Sequence, residues 1–322
     1  MTNRDLYFLS VPPRGRAAYR DLWEKTSMTA SSKELAQTEP MPQLQEATLD
    51  RFERSLDELE KLAEQLADEE NYAVAPLDYQ LPSGFLLSVV IPVYNEEATI
   101  APLIHRLRRL PLPLQMVIVD DRSTDRTRAV LRRYESDDDT HIIYKPQNEG
   151  KGAALRTGFA HARGDVVVVQ DADLEYDPRD LIRVIQPIVE GKADVVYGSR
   201  YLADPHDSQE FRSRRRRDGS WLHRLGNAAL TGASNCFTGL RLTDMETCYK
   251  AFRRDVVQRI ELVQDRFGFD PEITAKIARR KVRVWERPIS YQPRTYAEGK
   301  KIGLRDALQT LYCIVQYGIW ER

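Results

Sequence analysis

The chain has 322 residues, with 48 Lys+Arg against 49 Asp+Glu and a formal net charge of −1. That length holds one large domain or two ordinary ones and buries a core without covalent staples, and the balanced charge excludes a protein built on a wholesale electrostatic match to nucleic acid. Three cysteines, Cys236, Cys248 and Cys313, form neither a disulfide framework nor a Cys-x-x-Cys metal site, which points to a reducing compartment. The total conceals an asymmetry. Residues 1–84 carry 9 basic and 16 acidic side chains, a net of −7, and residues 85–322 carry 39 and 33, a net of +6.

The first residues, Met1 to Ser10, contain Arg4 and Asp5 and lack the apolar run of a signal peptide. No stretch of about 18 apolar residues occurs. The most apolar late segment, Ile302 to Trp320, is broken by Arg305, Asp306, Gln309 and Gln316. The expectation is a cytoplasmic protein, with peripheral contact at the inner face of a membrane left open.

Residues 1–46, rich in Pro, Ser, Thr and charge, read as a loose arm. Leu49, Phe52, Leu56, Leu59, Ala63 and Leu66 then follow helical spacing, which predicts an amphipathic helix over about 47–70 and a linker to residue 84. Those positions also fit heptad sites a and d. Fewer than three heptads favours a helix lying on the body of its own chain, and leaves a homodimer as the alternative.

From residue 85 to 322 strand and helix patterns alternate. Strands are expected at Leu86–Ile91, Gln115–Val119, His141–Tyr144, Val166–Val169 and Val195–Tyr197. Helices are expected at Glu96–Leu110, Thr124–Tyr134, Gly152–Ala162 and Pro178–Glu190. Apolar runs alternating with helices predict a mostly parallel central sheet covered on both faces. Such sheets bind ligands beyond the carboxyl ends of their strands, and the polar motifs of this chain fall there. The first strand ends in Pro92-Val93-Tyr94-Asn95-Glu96, the second in Asp120-Asp121, and the fourth in Gln170-Asp171-Ala172-Asp173. Asp125 and Asp177 read as caps or turn residues. Asp171 and Asp173 follow four valines. Two carboxylates that close repel unless a cation lies between them, and hard oxygen ligands suit Mg²⁺ or Mn²⁺ shared with substrate phosphates. Gly150-Lys151-Gly152 opens a helix and lets its N-terminus approach the sheet or a phosphate. No Walker-type loop and no Gly-x-Ser-x-Gly elbow is present. The five histidines lack metal or triad spacing and read as structural.

These segments together, Leu87-Ser88-Val89-Val90-Ile91-Pro92-Val93-Tyr94-Asn95-Glu96, Val119-Asp120-Asp121-x-Ser123-x-Asp125-x-Thr127, Asn148-x-Gly150-Lys151-Gly152 and Asp171-Ala172-Asp173, resemble a family-2 glycosyltransferase of the GT-A fold. The resemblance runs from about Leu86 to the C-terminus. Arg122 departs from it, since the family usually has glycine there. The resemblance implies that Pro92, Tyr94, Glu96, Asp121 and Asp120 hold the base and ribose of a nucleotide-sugar, with Lys151 among the donor-binding residues. It implies that Asp171 and Asp173 hold a Mg²⁺ or Mn²⁺ ion on the diphosphate.

Asp244-Met245-Glu246-Thr247-Cys248-Tyr249-Lys250, Phe267-Gly268-Phe269-Asp270-Pro271-Glu272 and Pro293-Arg294-Thr295-Tyr296-Ala297-Glu298-Gly299-Lys300-Lys301 are similar to the dolichyl- or polyprenyl-phosphate hexosyltransferase branch. That branch implies phosphate-facing roles for Arg200, Arg294 and Lys300, with Lys301 as alternate. The implied reaction is an inverting, metal-dependent transfer of a hexose from GDP-mannose, UDP-glucose or UDP-GlcNAc to a polyprenyl phosphate. A phosphate monoester is already ionised and needs no strong base, only Arg and Lys partners. If the acceptor is instead a soluble or glycan hydroxyl, a carboxylate base is required, and Asp244, Glu246 and Asp270 are the candidates. Asp270 reads equally as an N-cap before Pro271. A non-catalytic nucleotide-sugar binding protein is a further alternative. Arg212, Arg214, Arg215, Arg216 and Arg217 form a basic loop that is either simply solvated or in contact with anionic headgroups. Leu304, Leu308, Leu311 and Val315 share one helical face, which is either core packing or interfacial.

Overall fold

The structure, a computed structural model, describes residues 72–203, 211, 221–293 and 304–320. The chain divides into two compact units, residues 1–68 and 69–322. The acidic arm and the helix expected over about 47–70 lie outside the described residues, as do the Arg212–Arg217 run and residues 294–303.

Seven strands form one sheet: β1 (Leu87–Val93), β2 (Leu114–Asp120), β3 (Thr140–Tyr144), β4 (Val166–Val169), β5 (Val195–Ser199), β6 (Lys250–Arg253) and β7 (Val284–Pro288). Their spatial order is β3-β2-β1-β4-β6-β5-β7. β6 alone runs antiparallel, between β4 and β5; the other pairs are parallel. The continuous apolar runs follow from this arrangement. Val166 to Val169 lie in mid-sheet and are all buried, so every side chain meets protein and an apolar run suits the position. The parallel register also aligns strand ends: Val93 pairs with Asp120, and Val90 with Val169. The residues following β1, β2 and β4 therefore emerge at one edge.

Helix α1 (Ile100–Arg108) buries Ile100, Leu103, Ile104 and Leu107, the stripe expected of a helix on a sheet. It starts four residues later than its sequence pattern suggests. The turn before it is held from across the sheet, with the Asn95 and Glu96 amides donating to Ser123 Oγ (3.0 Å) and Thr127 Oγ1 (2.9 Å). Helix α2 (Thr127–Leu131) starts late for a similar reason, since the Thr124 amide donates to Asn95 Oδ1 at 2.8 Å. Arg126 is the N-cap of α2, and Asp125 in the turn before it accepts the Thr127 amide at 2.9 Å. Helices α3 (Lys151–His161) and α4 (Asp180–Val189) complete the parallel half. Ahead of β1, Tyr72 donates its hydroxyl to Asp177 (2.7 Å), Tyr79 donates to the Ile182 carbonyl (2.9 Å), and Val74 and Leu77 pack on the core.

After β5 come α5 (Trp221–Thr238), the short α6 (Arg254–Val257), α7 (Phe269–Arg279) and α8 (Leu304–Val315), which continues as a π-helical turn over Gln316–Trp320. Helices α5, α7 and α8 pack on one another. The buried face of α8 and its π turn is Thr310, Cys313, Ile314 and Tyr317. The leucine stripe turns the other way: Leu308 is 60% exposed, Leu311 43% and Tyr312 57%. Among the described residues no helix is long and apolar enough to cross a membrane.

Candidate active site

At the ends of β1 and β2, Pro92 lies within the strand and Tyr94 is exposed just beyond it. Asn95 at φ +56° turns the chain, and the Glu96 carboxylate accepts the Thr99 hydroxyl at 2.7 Å. The Asp120 carboxylate is buried, paired with Arg128 Nε at 2.5 Å and accepting the Ser123 amide at 3.3 Å. Arg128 bridges onward to the Lys145 carbonyl at 2.7 Å. Asp121 accepts the Glu149 and Gly150 amides at 3.0 and 2.6 Å, with Lys145 Nζ at 3.2 Å, and so ties the end of β2 to the start of α3. Between these two carboxylates and Ser123, Arg122 adopts φ +66°, the left-handed region that glycine enters without a Cβ penalty. An arginine there carries the steric cost that a glycine would avoid.

The start of α3 is pressed against the 264–266 segment. The Ala153 amide donates to the Asp265 carbonyl at 3.1 Å, and a Cβ on Gly152 would stand 2.2 Å from the Gln264 carbonyl oxygen. Only glycine permits that approach, which places Lys151 against the end of β4. Its ammonium pairs with Asp171 at 2.7 and 2.9 Å to the two carboxylate oxygens. Burial alone would lower the proton affinity of this lysine, but Asp171, with Cys248 and Asp270 near, holds it above the ordinary lysine range. Burial likewise pushes the Cys248 thiol well up, reinforced by its bond to Asp171. Asp173 accepts the Glu175 amide at 3.1 Å. Among the described residues no three His, Cys, Asp or Glu side chains form a complete metal cage. Asp171 and Asp173 fit a hard divalent cation that draws its remaining ligands from substrate phosphates and water. In this structure the Lys151 ammonium pairs with Asp171.

A second polar cluster lies at the end of β5 and the start of β6. Arg200 grips Asp244 in a forked pair, Nε to Oδ2 and Nη2 to Oδ1 both at 2.8 Å, and sits 5.1 Å from the Tyr291 ring. Its guanidinium is therefore engaged by Asp244. Asp270 does not cap α7, as its position before Pro271 suggests; Gly268 is the N-cap, and Asp270 lies in the first turn. There it accepts a hydrogen bond from Lys250, a fully buried lysine that also donates to the Thr247 carbonyl. Glu246 is different. Burial, then the nearby Asp270, pushes its carboxyl up to about 8. Arg294, Lys300 and Lys301 lie outside the described residues.

The structure thus brings Lys151, Asp171, Cys248 and Asp270 into one neighbourhood. Lys250, Asn227 and Cys248 were not singled out from the sequence as site residues. A lysine amid Tyr249, Ala251 and Phe252 was the available signal for the first; the other two carry none.

Residues 88–261 match the family model described as glycosyl transferase family 2. The chain is 28% identical over 236 residues to an undecaprenyl-phosphate 4-deoxy-4-formamido-L-arabinose transferase of Aeromonas hydrophila, covering 71% of this chain and 67% of that protein. It is 31% identical over 226 residues to the enzyme of the same name from Pseudomonas aeruginosa, covering 68% and 61%. The chain thus spans about three fifths to two thirds of the length of these relatives. Among solved structures it superposes on Mycobacterium tuberculosis glucosyl-3-phosphoglycerate synthase in complex with Mn²⁺, uridine-diphosphate and phosphoglyceric acid, with TM-score 0.54 and 19% identity over 74% of this chain and 80% of that one. The uridine-diphosphate complex of the same protein gives 0.55 and 20% over 76% and 88%. That likeness shows a shared GT-A-like α/β fold. With more than half of its length matched, the chain belongs to glycosyl transferase family 2 and is a glycosyltransferase.

Proposed function

We propose that this glycosyltransferase moves a hexose or closely related sugar from a nucleotide-sugar to a polyprenyl phosphate, with inversion, using Mg²⁺ or Mn²⁺ at Asp171 and Asp173. The observation that carries the reading is the pair of carboxylates beyond β4 with Lys151 seated on Asp171. The names of the relatives supply the acceptor class. A bound divalent ion would neutralise charge developing on the departing diphosphate. The N-terminus of α3 adds Lys151 on the same side. Pro92, Tyr94 and Glu96 are the residues proposed for the base and ribose, on a frame that Asp120 and Asp121 hold rigid. A phosphate acceptor attacks the anomeric carbon as it stands, with no proton to remove. Arg294 and Lys300 are proposed as phosphate partners from the basic segment after β7.

The outward leucines of α8 support peripheral contact with a membrane, where such an acceptor resides. The test incubates the protein with labelled GDP-mannose, UDP-glucose or UDP-GlcNAc, polyprenyl phosphate and Mn²⁺. Label moving into the organic phase is expected, and label appearing only in a water-soluble product overturns the lipid acceptor. Asp173→Ala is expected to abolish transfer with an unchanged melting curve. Near-normal turnover in that variant removes Asp173 from the metal site.

A further inference from the structure

Asn227 Nδ2, Glu246 Oε1 and Thr247 Oγ1 are buried without a hydrogen-bond partner among the described residues. Buried polar atoms in native proteins are nearly always paired, so each such orphan calls for a cause. These three belong to one neighbourhood. Asn227 touches Arg200 through its Oδ1 at 3.5 Å. One turn further along α5, Thr231 accepts the Met245 amide at 3.1 Å, which lays this face of the helix along residues 244–247. The Thr247 carbonyl accepts from Lys250, and Glu246 lies in the field of Asp270, Lys250, Arg200 and Asp244. Glu246 as a residue is half-buried, whereas Thr247 beside it is fully buried.

The charges around this point are already matched. Lys151 pairs with Asp171, Lys250 with Asp270, and Arg200 with Asp244. Among the described residues Glu246 forms no ion pair of its own. Burial, then Asp270, outweighs Lys250 and Arg200 and keeps the Glu246 carboxyl protonated near pH 7. A neutral carboxylic acid donates a hydrogen bond, as do an amide nitrogen and a hydroxyl. Three hydrogen-bond donors without acceptors suit an anionic oxygen cluster.

We propose that Asn227, Glu246 and Thr247 seat the phosphate of the acceptor through hydrogen bonds. This rests on the polyprenyl-phosphate reading above and deepens it. The seat lies beside Asp270, which also neighbours the Lys151–Asp171 pair, so acceptor and diphosphate occupy adjoining ends of one polar array. It also sets a pH window. The second ionisation of a phosphate monoester lies near about 6, so the nucleophilic dianion predominates above that, while the Glu246 proton persists to about 8. Among the described residues the titratable and charged groups facing Glu246 are Lys250 on β6, Asp270 on α7, Arg200 after β5, Asp244 on its own loop and Cys313 on α8; α5 presents the uncharged Asn227.

The test measures kcat/KM for undecaprenyl phosphate in detergent, with whichever nucleotide-sugar the wild type uses, from pH 5.5 to 9.5. The wild type is expected to lose about tenfold per pH unit above about 8, as a single ionisation requires, with KM for the nucleotide-sugar flat. Glu246→Gln keeps a hydrogen-bond donor and cannot ionise, so its alkaline limb is expected to vanish. Asn227→Asp, which places a carboxylate in the seat, is expected to raise KM for the lipid phosphate at least tenfold and leave KM for the sugar nucleotide unchanged. Melting curves show whether each variant is folded. An alkaline limb shared by wild type and Glu246→Gln, or a parallel change in both KM values, overturns the seat. A wild type that makes no lipid-linked product with any nucleotide-sugar overturns the acceptor reading itself and the seat with it.

Discussion

Replacing Lys250 by methionine keeps the apolar stem and nearly the volume of the side chain but removes a charge from a place no water reaches. The Lys250 side chain is fully buried, Asp270 nearly so, and the ammonium bonds both the Asp270 carboxylate and the Thr247 carbonyl. Its ammonium also rests 5.3 Å from the Tyr197 ring. Removing one member of a buried pair leaves the other uncompensated and costs about 3–5 kcal/mol. The carbonyl left without its donor falls within that range rather than adding to it. For a unit of this size each kcal/mol moves the midpoint by about 2–4 °C, so Lys250→Met should lower Tm by about 6–20 °C. The second substitution separates pairing from packing. In Lys250→Met/Asp270→Asn no charge remains to be compensated, and the double variant should recover about 2 kcal/mol relative to the sum of the single ones. Urea denaturation followed by tryptophan fluorescence and circular dichroism gives all four corners of the cycle. A loss below about 1 kcal/mol in Lys250→Met, or strict additivity, refutes the claim that this pair organises the junction of β6 and α7.

Burial would raise the Asp177 carboxyl, but the hydrogen bonds from Arg179 and Tyr72 prevail and hold it at about 2. A depressed carboxylate stabilises above its unfolded range and loses that contribution as pH falls through the folded value, so Asp177→Asn should cost about 2 kcal/mol at pH 7. Its deficit against wild type should narrow steadily between about pH 4 and 2 in chemical denaturation, and a deficit constant over that range contradicts the assignment. Gly152→Ala would put a Cβ 2.2 Å from the Gln264 carbonyl oxygen, against backbone that cannot swing aside. A loss of about 1–3 kcal/mol is expected, with weaker nucleotide-sugar binding because the start of α3 carries Lys151; an unchanged melting curve and affinity disprove the tight fit.

The sheet and its binding edge were legible in the sequence because both are local consequences of chain pattern. Val166 to Val169 must be a strand buried on both faces, and a parallel register then delivers Asp171 and Asp173 to the edge where β1 and β2 also end. Segment boundaries were less legible. The starts of α1 and α2 are set by Ser123, Thr127 and Asn95 reaching across between loops, partners nearly thirty residues away.

The sequence by itself therefore determined the fold class, the family and the placement of the paired aspartates. Tertiary structure alone decided which charges meet. Lys151 and Asp171 are 20 residues apart, Arg200 and Asp244 are 44, and Lys250 and Asp270 are 20, and each pair joins different elements. Whether Glu246 holds a proton depends first on its burial and then on charges such as Asp270 and Arg200 that folding brings near. Helix α8 shows the same limit for apolar residues. Periodicity groups Leu308 with Leu311, but only packing against α5 and α7 turns Cys313, Ile314 and Tyr317 inward and leaves the leucines facing out.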